Sequence, residues 1–375
     1  MKVCYVTHLP NLTGASRSLL DILSKWDKNK VEAVVLLGKH GPLEEELKKL
    51  NIRYKIIPYS TEIKENGKTF VNFAKKIKSY RAVSKIKKFF EDEKFDLIHS
   101  NSFLVGAGME AAFRADMPYI CHLRDFVWED HRIKLLNEKR QYFLLNHADT
   151  AIAISDAVRD KFSALAKDAH FETVYDGVDV SKYLQKHHNI LCGEHFVMML
   201  PGRIAPGKGQ LEAVKAAEEL VSRGVTDFTL QIIGGIGDAD YADEIKSYVK
   251  KQSINQVEFI EFTNDLYGLR AKCDLGLVCS SAEALGRVTI ENMLTGCLTI
   301  GADAGATSEL IQDGVTGLLY EQGNHKDLAD KIQYALGNRE DMQRIAENGQ
   351  KYAAEKFDSC EYDDKLYCIY KSILE

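Results

Sequence analysis

No stretch of this 375-residue chain approaches the run of about 18 apolar residues that a membrane-spanning helix needs, and Met1 to Leu20 has no apolar signal core. The eight cysteines, Cys4, Cys121, Cys192, Cys273, Cys279, Cys297, Cys360 and Cys368, form no Cys-x-x-Cys pair. Several fall inside apolar strand patterns, so reduced core residues of a cytoplasmic protein are expected rather than a disulfide or zinc framework. A complete Gly-x-Gly-x-x-Gly is missing, which argues against a dinucleotide fingerprint. The weaker IIGGIGDADY, with Gly234, Gly235 and Gly237, is read as a strand-end turn. The one Asp-x-Asp, Asp238-Ala239-Asp240, opens a surface helix, and no metal site is expected. Internal repeats and low-complexity tracts are absent.

What is present begins with charge. Residues 1–190 hold 31 Lys plus Arg against 25 Asp plus Glu, and the remainder 18 against 30, within a formal net charge of −6. Much of the basic excess lies in Lys64 to Lys88, with nine basic residues and one acid, Glu65. Phe70, Phe73, Ala74, Ile77, Val83, Ile86, Phe89 and Phe90 recur there at helical spacing. Two readings follow: a basic amphipathic helix against an anionic membrane surface, or a core-facing stripe with a solvated basic face. An acidic chain without a reader motif is not expected to bind nucleic acid.

Strand and helix patterns alternate throughout, the mark of an α/β doubly wound fold. Strands are expected at 2–7, 31–37, 53–57, 97–100, 119–122, 150–154 and 172–175, and after a restart at 196–200, 229–233, 257–260, 275–279, 299–301 and 317–320. The length suits two domains. Residues 1–190 form the first and 191–356 the second, with polar Ser181 to Glu194 as the linker and the helical, aromatic-rich 357–375 as a terminal segment. A metal site at the adjacent His187 and His188 is not expected, since neighbouring side chains diverge.

Two loops carry the chemistry. In the first, an apolar strand runs into Gly202-Arg203, then a glycine-rich turn, then Lys208-Gly209 and an amphipathic helix from Gln210. Fixed cations at the carboxyl end of a strand lie where open α/β sheets place ligands. In the second, Glu283-Ala284-Leu285-Gly286-Arg287-Val288 follows the strand at 275–279, and a helix from Arg287 places Glu291 about one turn in. Free N–H groups and the positive end of the helix dipole suit a phosphate there, and the two carboxylates suit hydroxyls. A nucleotide sugar is the simplest molecule with both. A third loop, Gly14-Ala15-Ser16, opens a helix after the first strand.

With Glu283 and Glu291 in an E-x7-E pattern and Gly202-Arg203 followed by Lys208-Gly209, the chain resembles the family 4 retaining glycosyltransferases of bacterial polysaccharide synthesis. ISDAV at Ile154 to Val158, DGVD at Asp176 to Asp179 and SELIQDGVTGLLY at Ser308 to Tyr320 add to the resemblance. It is dense from about residue 195 to 322. Asp176 stands where that family usually has Asn, a change expected to matter little because both residues favour the turn.

The resemblance implies the GT-B fold, two Rossmann-like domains facing each other across a cleft, with the C-terminal helix crossing back to the first. It implies a retaining, metal-independent transfer from a nucleotide-diphosphate sugar, UDP by default, to a glycan or lipid-linked hydroxyl, without a cofactor, and peripheral contact with the inner membrane face. Gly14, Ala15, Gly202, Gly234, Ala284, Leu285, Gly286, Arg287 and Val288 would line the donor. Arg203 and Lys208 would stabilise the leaving diphosphate, Glu291 would hold ribose hydroxyls, and Glu283 a sugar hydroxyl; chemically, Glu283 as nucleophile stays open. His122 would sit by the donor sugar, with Asn101, Arg124 and Asp125 on the acceptor side; a local ion pair is the alternative for Arg124 and Asp125. A nucleotide-sugar 2-epimerase and a non-catalytic sugar-nucleotide-binding subunit are the rival readings.

Overall fold

In the computed structural model, residues 1–12, 14–128, 133–186, 188–263 and 265–375 are described, without the side chains of 359 and 360. The chain divides into two compact units, Met1–Val178 with Ser359–Glu375, and Asp179–Asp358.

The first unit carries a parallel sheet of β1 (Lys2–Val6), β2 (Glu32–Leu37), β3 (Arg53–Ile56), β4 (Leu97–Ser100), β5 (Tyr119–Leu123), β6 (Thr150–Ala153) and β7 (Phe171–Thr173), in the order β3-β2-β1-β4-β5-β6-β7. Its central strands are apolar on both faces, as a sheet covered by helices on each side requires; β4, β5 and β6 are buried throughout. Register brings chemistry to one face. Tyr5 pairs with His99, and His99 with Ile120, so His122, two residues on, shares their side of the sheet. The terminal helix Ser359–Leu374 covers that face, and its Tyr362, Leu366 and Tyr370 join Val3, Leu97, Ile120 and Ile152 in one apolar cluster.

The basic segment forms the 25-residue helix Thr69–Glu93. Its buried residues begin at Ser79: Ser79, Ala82, Val83, Ile86 and Phe90 are buried. Phe70, Phe73, Ile77 and Tyr80, spaced three, four and three residues apart, form a separate stripe that faces outward, with Phe70 91% exposed.

The second unit repeats the plan with β8 (Phe196–Pro201), β9 (Phe228–Ile233), β10 (Val257–Ile260), β11 (Leu275–Val278), β12 (Leu298–Ala302) and β13 (Leu318–Tyr320), in the order β10-β9-β8-β11-β12-β13. In both sheets the strand order reverses beside the first strand, which opens a crevice at the carboxyl ends of β1 and β4, and of β8 and β11. All thirteen strands lie within two residues of their sequence-expected bounds.

The stretch expected as a linker is docked on the second unit instead. His188 Nδ1 lies 2.7 Å from Thr295 O, Gln185 N donates to Leu294 O, and Ile190 and Leu191 enter the core. Polar composition hid this because the docking uses backbone groups, one histidine ring and two apolar side chains.

Candidate active site

In the second unit, β8 runs into Gly202 (φ +157°) and β9 into Gly234 (φ +155°), backbone that favours glycine. A Cβ at Gly234 would meet Gly202 O at 2.0 Å, so the two loops touch backbone to backbone. Arg203 is exposed, its stem resting where Gly237 leaves room. Gln210, fully buried, donates Nε2 to Arg203 O at 3.1 Å and so ties the loop to the helix that follows. Gly209 caps that helix in the left-handed region, where any Cβ would strike Cys279 O at 2.0 Å. That close approach brings the Lys208 loop to the end of β11.

Lys208 Nζ therefore reaches Glu283 Oε1 at 2.6 Å, and Ser280 Oγ donates to the same oxygen at 2.5 Å. Gly286, at φ +83°, turns the chain into the helix Arg287–Leu294, whose first N–H groups have no carbonyl a turn earlier. Glu291 lies on this helix, 2.7 Å from Nη2 of a fully buried arginine, Arg270. The approach is off the N–H direction, which makes it an ion pair rather than an aligned hydrogen bond. Arg270 Nε donates to Asn292 Oδ1 at 3.0 Å, and Arg287 Nε is 3.8 Å from Glu291 on the other side. Two cations thus hold the Glu291 carboxylate.

Beside Arg203 lies a cavity of ≈ 380 Å³ lined by Gly202, Gly234, Gly235, Ile236, Phe262 and Leu266 among others. It is mostly apolar, with a partly exposed Phe262 ring at its wall. Arg270, Ser280, Ile236 and Phe262 went unnoticed in the sequence. Phe262 had a signal, since it follows β10 at the same carboxyl edge; buried Arg270 had none.

In the first unit, Gly14 opens the helix Gly14–Lys25, and a Cβ there would meet nothing within 4 Å. Asn101, buried just past β4, donates Nδ2 to Ala15 O at 3.0 Å and accepts from Arg124 Nε at 2.9 Å. Arg124 Nη1 is 2.7 Å from each oxygen of Asp176. Burial works against the Arg124 charge, but Asp176 outweighs it and holds the guanidinium above its ordinary range. Asp176 is thus more than a turn residue: it supplies the counter-charge for a buried cation, contrary to the expectation that Asn and Asp are equivalent here. Asp125 accepts from Val127 N at 3.0 Å, shaping its own turn.

His122 is fully buried, and burial, then Arg124 and His99, push its pKa well below the ordinary histidine range. Among the described residues no group of three or more His, Cys, Asp or Glu is gathered as a metal site.

Two parallel sheets, each with its crevice at the point where strand order reverses, and a glycine-rich cationic loop facing a helix N-terminus define the class: a GT-B protein. Two family models together match most of the chain, "Glycosyltransferase Family 4" over residues 12–182 and "Glycosyl transferases group 1" over 185–352. The chain belongs to glycosyltransferase family 4.

It is 24% identical to an uncharacterized glycosyltransferase of Methanocaldococcus jannaschii, over 81% of this chain and 85% of that one. It is 26% identical to the capsular polysaccharide biosynthesis glycosyltransferase CapM of Staphylococcus aureus, over 61% of this chain and 63% of that one, so it spans less than two thirds of that relative. Anabaena HepE in complex with UDP is a structural neighbour with TM-score 0.85 and 25% identity, covering 99% of this chain and 100% of that one. HepE has also been crystallised with UDP-glucose.

Proposed function

We propose that the protein transfers a sugar, with retention and without a metal, from a UDP-sugar to a hydroxyl of a glycan or lipid-linked oligosaccharide in surface polysaccharide synthesis. The observation that carries this reading is the meeting of Lys208 and Glu283 at 2.6 Å beside the helix that begins at Arg287. An anion site and a hydroxyl site are there joined in one place. The UDP bound by the neighbour HepE and the capsular role in the name of the S. aureus relative support the donor and the pathway class.

Cleavage between the anomeric carbon and phosphate leaves an oxocarbenium-like sugar and a diphosphate with new negative charge. Groups fixed where that charge develops lower the barrier most. Arg203, Lys208 and the N–H groups from Leu285 to Val288 are such groups, and they supply the positive charge that a metal would otherwise bring. The apolar cavity against Phe262 suits a flat base, and Glu291, braced by Arg270, suits ribose hydroxyls. Glu283 is engaged by Lys208 and Ser280, the setting of a carboxylate that holds a sugar hydroxyl. Retention then follows from attack on the face the phosphate leaves, with the phosphate taking the acceptor proton. On the first unit, His122 would meet the donor sugar, and Asn101 and Arg124 would shape the acceptor side.

The helix Thr69–Glu93 suits an anionic membrane surface. Its outward stripe of Phe70, Phe73, Ile77 and Tyr80 is flanked by Lys76, Lys78, Arg81, Lys85 and Lys88. Apolar insertion and cation attraction then act together, each cation adding about 1 kcal/mol near the lipid. No helix among the described residues is long and apolar enough to cross a membrane, so the contact would be peripheral.

Calorimetric titration of wild type and Glu291→Ala with UDP, GDP and ADP, without and with a divalent cation, tests the donor site. Metal-independent binding of UDP that the variant loses is the expected result. No binding of any diphosphate would overturn the assignment.

A further inference from the structure

A chain of buried polar groups runs through the first unit from Trp26 to His122. Trp26 Nε1 is 2.8 Å from Tyr5 Oη, Tyr5 Oη is 3.1 Å from Tyr370 Oη, and Tyr370 Oη is 2.5 Å from His99 Nδ1. His99 Nε2 is 3.1 Å from His122 Nδ1, and Arg124 Nη2 approaches that same nitrogen at 3.3 Å. Of these residues only His122 and Arg124 stand out in the sequence; the rest are brought together by strand register and by the terminal helix.

The direction of every proton follows from the two ends. Arg124 can only donate, so His122 Nδ1 must be the bare, accepting nitrogen. His99 Nε2 faces the same bare nitrogen and must therefore carry its proton. Both rings are fully buried and lie near the fixed charge of Arg124, which disfavours a second proton on either. Neutral His99 with its proton on Nε2 has a bare Nδ1, which accepts from the Tyr370 hydroxyl. Tyr370 has then spent its one proton, so the contact with Tyr5 is donated by Tyr5, which in turn accepts from the indole N–H of Trp26. With both rings neutral, no other arrangement places a donor opposite an acceptor at each of the five contacts. One group is left over: the N–H at His122 Nε2, a buried atom without a partner among the described residues.

We infer that Tyr370 of the terminal helix, acting through His99, is a positioning residue that holds His122 as its neutral Nε2–H tautomer, so that His122 meets a ligand oxygen as a donor and not as a base. Resting on the donor reading above for the ligand's identity, that oxygen is a hydroxyl or phosphate oxygen of the nucleotide sugar. The terminal helix thereby acts on the site through hydrogen bonds as well as through packing. The inference also removes His122 from the candidates for taking the acceptor proton, which leaves that step to the departing phosphate.

The test is a long-range 1H–15N correlation spectrum of the full chain labelled with [15N]histidine, near neutral pH, assigned through His99→Gln and His122→Gln. Protonated Nε2 and bare Nδ1 on both rings is the expected result. A proton on Nδ1 of His122, or on both its nitrogens, would overturn it. Tyr370→Phe removes a single oxygen, and with it the only donor to His99 Nδ1 among the described residues. It should raise the Nδ1–H population of His99 by roughly fivefold or more, the worth of one hydrogen bond. An unchanged His99 spectrum in that variant would remove Tyr370 from the role. Should Tyr370→Phe fail to fold, Tyr5→Phe gives the second perturbation, since it deprives Tyr370 of its own donor and should shift the His99 resonances in the same sense; no shift there would count against the chain. With a turnover assay, Tyr370→Phe should lower kcat several-fold with donor KM within about twofold. The spectra need no substrate, so the expected tautomers in a protein that does not bind UDP would uphold this inference and sink only the donor reading.

Discussion

Arg124 and Asp176 are locked together by two contacts of 2.7 Å between Nη1 and the carboxylate oxygens, with both residues buried. Removing one charge of a buried pair costs about 3–5 kcal/mol, less where the substitute still accepts a hydrogen bond. Asp176→Asn should therefore destabilise the first unit by roughly 2–3 kcal/mol. Because two units need not unfold together, hydrogen exchange around Asn101 and Arg124 is the suitable measurement.

Lys208 and Glu283 should separate binding from turnover. Lys208→Ala, which loses a fixed charge opposite the leaving group, should lower kcat by about 10²–10³, in line with loss of one oxyanion-type donor. Glu283→Gln should retain UDP affinity within a few-fold while losing most turnover. A covalent glycosyl intermediate trapped on Glu283 would instead point to double displacement.

Arg270 and Glu291 act as one group. Arg270→Leu should weaken UDP binding by roughly tenfold, and in the double variant with Glu291→Ala the losses should not add, the signature of a coupled pair in contact. Additive losses would mean that the ion pair does not hold Glu291 for its ligand.

The exposed stripe on the helix Thr69–Glu93 predicts vesicle binding that depends on both charge and apolar contact. Binding to vesicles containing anionic lipid should fall by about 10²-fold when three of Lys76, Lys78, Lys85 and Lys88 are neutralised, at about 1 kcal/mol each. Replacing Phe70 and Phe73 with Ser should weaken the salt-resistant part. Equal binding to neutral and anionic vesicles would contradict the electrostatic half of the proposal.

Glu62 offers a pH prediction. Burial pushes its carboxyl up to about 7, with Gln141 as its neighbouring hydrogen-bond partner working in the other direction. A raised folded pKa means that the folded state keeps a proton which the unfolded chain has already released. Stability from this group is thus full below the unfolded pKa of about 4.3 and is lost as pH rises toward 7. The loss amounts to roughly 3–4 kcal/mol, and Glu62→Gln should abolish it, leaving the variant the more stable of the two above neutrality. Denaturant titrations at several pH values would show it.

The inner strands of both sheets were legible in the sequence, because strands buried on two faces must be apolar runs and runs of that kind are local. So were Gly202, Arg203, Lys208, Glu283 and Glu291, since loops at the carboxyl ends of strands announce themselves by glycine and charge. Arg270 could not be read that way: a lone arginine on a five-residue helix looks like a surface residue until the fold closes Asn292 and Glu291 over it. The same holds for Ser181 to Glu194, whose polar composition gave no hint that its backbone would be satisfied by the second unit.

By itself, then, the sequence determined the periodic patterns, the loop chemistry and the family, all of which depend on neighbours within a few residues. Tertiary structure alone decided the partners: that Asp176 neutralises Arg124, that the outer half of a basic helix faces solvent, and that Tyr370 reaches His99 across 271 positions. Those contacts arise from strand register and helix docking, long-range geometry that closes only when the whole unit buries its apolar faces together.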